Sequence, residues 1–215
     1  MSVVTIQGPL GSGAPEVGRL VGDRLKADYV DREIIAKVAA RLHRREQQVT
    51  AKEMPPSSLL GRAAETIGYN SIGDPIMEGV YLPMEQMPLG DTRYLQVLEY
   101  VVKELARSPS LVILGRCSQF ILKGYAHVYH VLVVAPMEVR VKRVMQDLKL
   151  DQEAAKIEIM RHDSGLREVI KKYFESEIED PVHYDLVINT KGFSFQAAAS
   201  IVVYTLSLSE QTTNK

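Results

Sequence analysis

Six residues near the N-terminus have the composition and spacing of a phosphate-binding loop. The segment 8–13 reads Gly-Pro-Leu-Gly-Ser-Gly, follows the apolar run Val3–Gln7 and precedes a helical pattern. Glycines in such a turn let backbone N–H groups converge on an anion, and the N-terminus of the next helix adds partial positive charge. We therefore predict contacts with nucleotide phosphates from five backbone positions, namely Gly8, Gly11, Ser12, Gly13 and Ala14.

The loop departs from the full signature G-x-x-x-x-G-K-[ST] at its last two positions. Gly8 and Gly13 have the required spacing, but Ala14 stands at the lysine position and Pro15 at the Ser/Thr position. The motif therefore lacks its usual cation for the β- and γ-phosphates and its usual hydroxyl for Mg²⁺. Phosphoryl transfer would require other cations, and a tight turn that only joins strand to helix stays open as the alternative.

Charged side chains follow two other predicted strands. Arg116 follows the run Leu111–Leu114, and Asp31 and Arg32 follow the short run Tyr29–Val30. In open α/β sheets, ligands bind outside the carboxyl ends of the strands. A guanidinium at such a place can hold a phosphate through two hydrogen bonds, so we predict that Arg116 is a phosphate ligand. The alternatives are a helix N-cap for Asp31 and solvated surface positions for the two arginines.

Two further groups of cations lie on predicted helices. Residues 150–182 are highly charged and mostly helical in pattern, which is typical of a lid that closes over a ligand, and they contain Arg161 and Arg167. Lid cations can stabilise the charge of a transferring phosphoryl group. The run from Arg140 to Arg143 occupies the polar side of a helix, which is usually a solvated face. The histidines have no metal-ligand spacing, so we predict no metal site built from protein ligands.

Apolar runs alternate with amphipathic helical patterns along the chain. Four runs are continuously apolar, as in parallel strands covered on both faces, and a fifth, very short run precedes Asp31. This alternation predicts an α/β fold with a parallel sheet, in one domain of residues 1–209 with a flexible tail at 210–215. Residues 45–93 contain five prolines and little periodicity, which predicts a functional insert or a partly disordered segment. The four runs are Val3–Gln7, Leu111–Leu114, Val128–Ala135 and Leu186–Asn189.

The composition is ordinary for a globular protein. Hydrophobic residues make up 46% and charged residues 25% of the 215 residues, and the formal net charge of −1 does not indicate a nucleic-acid partner. The single cysteine, Cys117, excludes an intramolecular disulfide, fits a reducing compartment and is interpreted as a packing residue. Neither a signal peptide nor a long apolar span is found, which predicts a cytoplasmic protein with no membrane partner. The oligomeric state stays open, a homo-oligomer included.

Five segments resemble, in the same order, the cytidylate kinase-like family, a branch of the P-loop nucleoside monophosphate kinases. The loop of that family commonly lacks the lysine. The resemblance implies a P-loop NTPase-type three-layer α/β/α fold with a five-stranded parallel sheet, a substrate-binding insert and a helical lid. The matching segments are residues 4–13 (the opening loop), 29–35 (YVDREII, similar to YDRELI), 112–117 (VILGRC, similar to VIVGRxA), 130–140 (the fourth strand and following helix) and 184–190 (the last strand).

The resemblance also implies roles for individual residues. Asp31 would lie near Mg²⁺ or the acceptor phosphate, while Arg32, Arg116 and Arg140 would bind the acceptor phosphate. In true cytidylate kinases an aspartate follows the arginine at position 116 and helps to read cytosine. Cys117 occupies that position here.

The predicted lid also departs from the family pattern. The lid of the family has an aspartate followed three residues later by an arginine, whereas Asp163 is followed at that spacing by Leu166, with Arg167 one residue later. A shift by one residue rotates a helical side chain by about 100°. We keep Arg161 and Arg167, together with Asp31 and Arg116, as the predicted catalytic residues.

Two classes of function fit these observations. The first is an enzyme that transfers a phosphoryl group from ATP, with Mg²⁺, to a nucleoside monophosphate, in the manner of a cytidylate kinase. The second is a catalytically weak or inactive nucleotide-binding regulatory protein with a degraded loop, which Ala14, Pro15 and Leu166 favour. A kinase for another small metabolite is a third, since many P-loop kinases share this scaffold. An ADP-release assay with a panel of acceptors distinguishes them.

Overall fold

The centre of the fold is a sheet of parallel strands. A computed structural model describes residues 2–31, 34, 37, 40–41 and 91–213 of the chain. The strands in these ranges are β1 (Val3–Gln7), β2 (Asp28–Val30), β3 (Leu111–Leu114), β4 (Val128–Val134) and β5 (Leu186–Asn189). Their order across the sheet is β2-β3-β1-β4-β5, and every neighbouring pair is parallel. The predicted five-stranded parallel sheet is therefore confirmed, with β4 ending one residue earlier than expected.

Helices connect the strands as the sequence pattern predicts. One short helix after β3 was not predicted, because its single turn is too brief to show a periodic pattern. Of the predicted insert at 45–93, residues 45–90 lie outside the described residues, and 91–93 begin a helix. The helices whose bounds fall within the described residues are α1 (Ala14–Leu25), α2 (Asp91–Leu105), α3 (Ser118–Ile121), α4 (Met137–Leu148), α5 (Gln152–Phe174) and α6 (Phe195–Thr213), with a 3₁₀ turn at Pro181–His183.

The two faces of the sheet are covered because its strands carry apolar side chains toward both faces. Val3 and Leu111 belong to a buried cluster with α2, whereas their chain neighbours Val4 and Val112 belong to a cluster with α1 and α6. Successive side chains of a strand point to opposite faces, so a continuous apolar run serves both layers. Each buried aliphatic side chain contributes about 1.5–3 kcal/mol. The result is the expected three-layer α/β/α arrangement.

Helix α5 lies across the edge of the sheet where the strands end. Its first half packs Ile159 against α4 and against Leu10 of the Gly-rich loop. Its second half packs Ile170 and Leu166 into a separate cluster with Cys117, which follows β3. Most of the segment predicted to be a lid, residues 150–182, is therefore one helix, Gln152–Phe174, that contacts both the loop and the end of β3, while the rest of the segment is turns and the start of the 3₁₀ turn. None of the helices in the described ranges is long and apolar enough to cross a lipid bilayer.

Candidate active site

The Gly-rich loop, residues 8–13, turns sharply between β1 and α1. Gly11 and Gly13 have φ angles of 77° and 91°, in the left-handed region that favours glycine. A Cβ atom on Gly13 would also collide with the ring of Phe195, and one on Gly11 would lie 2.8 Å from a carbonyl oxygen of α4. The shape of the loop therefore requires the glycines that its sequence supplies.

Three carbonyl groups of the loop, those of Leu10, Gly11 and Ser12, face α4, where two arginines bind them. Nε of Arg140 donates to the Leu10 carbonyl at 2.7 Å. Nη1 of Arg143 donates to the Gly11 and Ser12 carbonyls at 3.1 and 2.9 Å. The interpretation of this helix face as solvated is therefore wrong for both arginines. Sequence spacing could not show this, because the loop lies about 130 residues away along the chain.

The N–H groups of the loop face the other way, because C=O and N–H point in opposite directions in a trans peptide. The amides of Gly11 and Gly13 have no hydrogen-bond partner within the described ranges. The Ser12 amide donates to the Pro9 carbonyl at 3.0 Å, and the Ala14 amide donates to Oγ of Ser12 at 3.3 Å. We call the Gly11 and Gly13 amides, together with the N-terminus of α1, the cradle. This arrangement suits an anion such as a phosphate.

A buried ion pair joins α4 to α5 beside the cradle. Nη2 of Arg140 donates to both carboxylate oxygens of Asp163 at 2.8 Å, and the two side chains are only 8% and 7% exposed. The same guanidinium binds the loop through Leu10, so it connects three elements at one point. The guanidinium of Arg140 is thus already engaged with Asp163 and Leu10. That Arg140 also binds the acceptor stays a prediction.

A second charged pair lies at the neighbouring strand ends. Nη2 of Arg116, after β3, donates to Oδ1 of Asp31, after β2, at 3.2 Å. The Gly115 amide donates to the Ile6 carbonyl of β1 at 2.9 Å, which brings this turn beside the Gly-rich loop. The structure thus brings together Asp31, Arg116 and the loop at the carboxyl edge of the sheet, as the strand ends predicted.

The backbone that carries Arg116 is strained. Gly115, Arg116 and Cys117 have φ angles of 65°, 59° and 54° in succession. A non-glycine residue in this left-handed region costs about 1–2 kcal/mol. Such strain concentrates where a side chain must be aimed at a ligand. The turn therefore supports a functional role for Arg116.

The remaining predicted cations occupy different positions. Arg161 lies half-buried on α5 and forms no ion pair with the part of the chain that the structure describes. Arg167 is exposed and pairs with Glu179 at 2.7 Å. Arg32 lies outside the described residues. Their predicted roles stay predictions.

His162 of α5 lies between the two charged parts of the site. Burial lowers its pKa, the carboxylates of Asp163 and Glu158 oppose that lowering, and the positive charges of Arg140 and Arg116 add to it. Its imidazole is therefore neutral at pH 7. The contacts of Ile159 with Leu10 and of Ile170 with Cys117, on either side of His162, show that α5 reaches from the Gly-rich loop to the end of β3.

Two residues that bind the loop were not selected from the sequence. Thr190 follows β5, and its Oγ1 donates to the Ser12 carbonyl at 2.7 Å. The strand-end rule that selected Arg116 could have selected Thr190 as well. Arg143 was visible only as one charge of a polar helix face. Burial lowers the pKa of Arg143, and the acidic groups of Glu16 and Asp147 oppose this effect.

Cys117 is a packing residue, as predicted, and its thiol should be chemically silent. Burial raises the pKa of this thiol to about 12, although the charge of Arg116 opposes the increase. Because the thiolate is the reactive form, we expect alkylation by iodoacetamide at pH 8 to be more than about 100-fold slower in the folded protein than in urea. The rates are measured by mass spectrometry. Similar rates in the two states would show that the thiol is accessible.

Comparisons with known proteins agree with this geometry. The model of the cytidylate kinase-like family matches residues 3–192. A cytidylate kinase of Ignicoccus hospitalis is 25% identical over 88% of this chain and 90% of its own length. A cytidylate kinase of Staphylothermus marinus is 22% identical over 94% of both chains.

Among solved structures, the fold is similar to that of a shikimate kinase from Acinetobacter baumannii. The TM-score is 0.51 at 17% identity, and the match covers 98% of this chain and 94% of the other. At this identity the likeness concerns the fold alone. The parallel sheet, the loop between β1 and α1 and the match over residues 3–192 lead to one conclusion. The chain belongs to the cytidylate kinase-like family.

Proposed function

We propose that the protein transfers the γ-phosphoryl group of ATP to a nucleoside monophosphate, with CMP as the first candidate acceptor. One observation carries the proposal. Arg140, Arg143 and Thr190 hold the Leu10, Gly11 and Ser12 carbonyls on one side of the loop. The Gly11 and Gly13 amides of the cradle are thereby left on the other side, near the Arg116–Asp31 pair. An anion site and a charged pair at adjacent strand ends suit a phosphoryl donor and a phosphoryl acceptor that must bind next to each other.

The cradle would hold the β- and γ-phosphates of ATP, which enters with Mg²⁺ as its substrate complex. The Gly11 and Gly13 amides would donate to phosphate oxygens, and the N-terminus of α1 would add positive charge. Asp31 would be the protein carboxylate near Mg²⁺, which commonly has one or two such ligands in addition to phosphates. The charge of the missing lysine would come from arginines of other segments.

Arg116 would hold the phosphate of the acceptor in line with the γ-phosphorus. An oxygen of that phosphate attacks the γ-phosphorus, the bond to the β–γ bridging oxygen breaks, and ADP and a nucleoside diphosphate form. Catalysis would come from positioning and charge neutralisation, without a covalent intermediate. Arg32, Arg161 and Arg167 would contribute further positive charge from the acceptor side and from α5.

CMP is the first acceptor to test because the relatives in the comparison are named cytidylate kinases. The base cannot be read here by a carboxylate after Arg116, since Cys117 occupies that position and burial raises the pKa of its thiol to about 12. Discrimination of CMP from UMP and AMP would therefore depend on other groups. We expect weaker base selectivity than a carboxylate would provide.

The test is a panel of acceptors with ATP and Mg²⁺. We measure ADP release with CMP, dCMP, UMP, AMP, GMP and shikimate, and ATP binding by calorimetry. We expect turnover with at least one pyrimidine nucleotide. ATP binding without turnover on any acceptor would contradict the proposal and indicate a nucleotide-binding regulatory protein, and turnover with shikimate alone would indicate another small-molecule kinase.

Asp31 provides a variant for the same assay. Asp31→Asn keeps the size of the side chain but removes its charge, so we expect kcat to fall about 100-fold or more. The matched control is Asp28→Asn, which removes a charge from an exposed position at the start of β2. Equal rates for the two variants would exclude Asp31 from the reaction.

A further inference from the structure

Two side chains converge on a single carbonyl of the Gly-rich loop. The Ser12 carbonyl accepts from Oγ1 of Thr190 at 2.7 Å and from Nη1 of Arg143 at 2.9 Å. Nη1 of Arg143 also donates to Oγ1 of Thr190 at 2.9 Å. The Ser12 carbonyl, the Thr190 hydroxyl and the Arg143 guanidinium therefore form a set in which each group is hydrogen-bonded to the other two. Ser12 and Thr190 are 0% and 2% exposed. Thr190 is therefore too deeply buried to touch a nucleotide.

This set is anchored in the sheet. The Thr190 amide donates to the Val134 carbonyl at the end of β4 at 2.9 Å, and the Thr190 carbonyl accepts from Nη2 of Arg143 at 3.1 Å. The guanidinium of Arg143 also lies 4.8 Å from the ring centre of Phe195, and that ring packs against Gly13. The ends of β4 and β5 thus hold the far side of the Ser12–Gly13 peptide.

The orientation of this peptide decides which group faces an anion. With the Ser12 carbonyl held on the side of Arg143, the Gly13 amide must point into the cradle, since the peptide is trans. If the peptide rotated, a carbonyl oxygen would face the phosphates and repel them. Hydrogen bonds to the carbonyl also polarise the peptide and strengthen its N–H as a donor.

We infer that Thr190 and Arg143 are positioning residues that fix the Ser12–Gly13 peptide so that the Gly13 amide binds phosphate. The inference rests on the proposed function, because it concerns the same phosphate site. It assigns part of the role of the missing lysine to groups behind the loop, which act on the backbone and not on the ligand. Arg143 contributes charge and geometry, whereas Thr190 contributes geometry alone.

Thr190 gives the sharper test because it carries no charge. Thr190→Val removes the hydroxyl at nearly constant volume, whereas Thr190→Ser keeps it. We expect Thr190→Val to weaken binding of ATP and of inorganic tripolyphosphate by about tenfold, as for loss of one hydrogen bond in a charged site. Adenosine affinity should not change. Thr190→Ser should bind both anions as the wild type does.

The measurement is isothermal calorimetry on the full chain, with thermal melting as a check that each variant folds. Thr205→Val on α6 is the matched control, since the partners of the Thr205 hydroxyl among the described residues are carbonyls of its own helix. We expect that variant to bind ATP normally. Failure of the wild type to bind ATP would overturn the proposed function and the inference together, whereas normal anion binding by Thr190→Val would overturn the inference alone.

Arg143→Lys keeps the test decisive if Thr190→Val does not fold. Lysine retains the positive charge but lacks the planar fork with which Arg143 reaches three carbonyls and a hydroxyl. We expect tripolyphosphate affinity to fall by about tenfold or more, again without a change for adenosine. Wild-type affinity in Arg143→Lys would show that charge alone suffices, and would contradict a positioning role.

Discussion

Replacing Arg116 by alanine is expected to lower kcat/KM for phosphoryl transfer by about 10²- to 10³-fold, with little change in ATP affinity. The reason is the position of Arg116 after β3. There its side chain pairs with Asp31, and the neighbouring Gly115 amide donates to β1 beside the cradle. A guanidinium at this point can bind the acceptor phosphate through two donors. Initial rates over a range of acceptor and ATP concentrations measure the effect.

Two controls separate the role of Arg116 from loss of charge or of fold. Arg107→Ala removes an exposed arginine from the connection before β3, and we expect it to leave the rate unchanged. Arg116→Gly removes the same guanidinium but relieves the positive φ of 59°, so it should be more stable than Arg116→Ala by about 1 kcal/mol and equally inactive. Wild-type rates in either Arg116 variant would exclude the proposed acceptor contact.

Replacing Asp163 by leucine should cause the largest loss of stability. The carboxylate accepts two hydrogen bonds at 2.8 Å from a guanidinium that is 8% exposed. Removing one partner leaves a buried charge without compensation, which costs about 3–5 kcal/mol. Urea unfolding followed by circular dichroism measures this change. The exposed pair of Arg167 and Glu179 is the matched control, and Glu179→Gln should cost less than about 1 kcal/mol.

The double variant Arg140→Met with Asp163→Leu separates stability from function. Apolar groups of similar size can replace a buried ion pair with little loss, so most of the stability should return. Affinity for ATP should nevertheless be lower than in the wild type, because Arg140→Met removes the donor to the Leu10 carbonyl and the cradle is held less firmly. If the double variant is no more stable than Asp163→Leu alone, the ion pair is not the source of the loss.

Most of the fold was predictable because the strands and the loop have local signals. The runs Val3–Gln7, Leu111–Leu114 and Leu186–Asn189 are strands with the predicted bounds, since parallel strands covered on both faces are mostly apolar and do not alternate with polar residues. The Gly-rich turn between β1 and α1 was predictable because its glycines stand between an apolar run and a helical pattern. The turn α3 was not, because four residues are too few for a helical period to appear.

The arrangement of the candidate site was predictable only where position at a strand end decides it. That Arg116 and Asp31 lie together was predictable because parallel strands end at one edge of the sheet, and their roles stay predictions. The partners of Arg140 and Arg143 were not, since a polar helix face does not reveal whether it meets water or the carbonyls of a distant loop. The strand-end rule could have selected Thr190, but its contact with Ser12, 178 residues away along the chain, is not visible in any local pattern.

The most direct test of the central claim follows the products of the wild-type protein incubated with ATP, Mg²⁺ and CMP. Phosphorus NMR resolves ADP, CDP and inorganic phosphate in one sample. If the cradle holds ATP and Arg116 holds the acceptor, ADP and CDP should form in equal amounts with little free phosphate. If the panel shows a preferred acceptor other than CMP, ADP and the diphosphate of that acceptor should form in equal amounts instead. ADP that forms together with inorganic phosphate only, or no reaction with any nucleotide, would contradict the account.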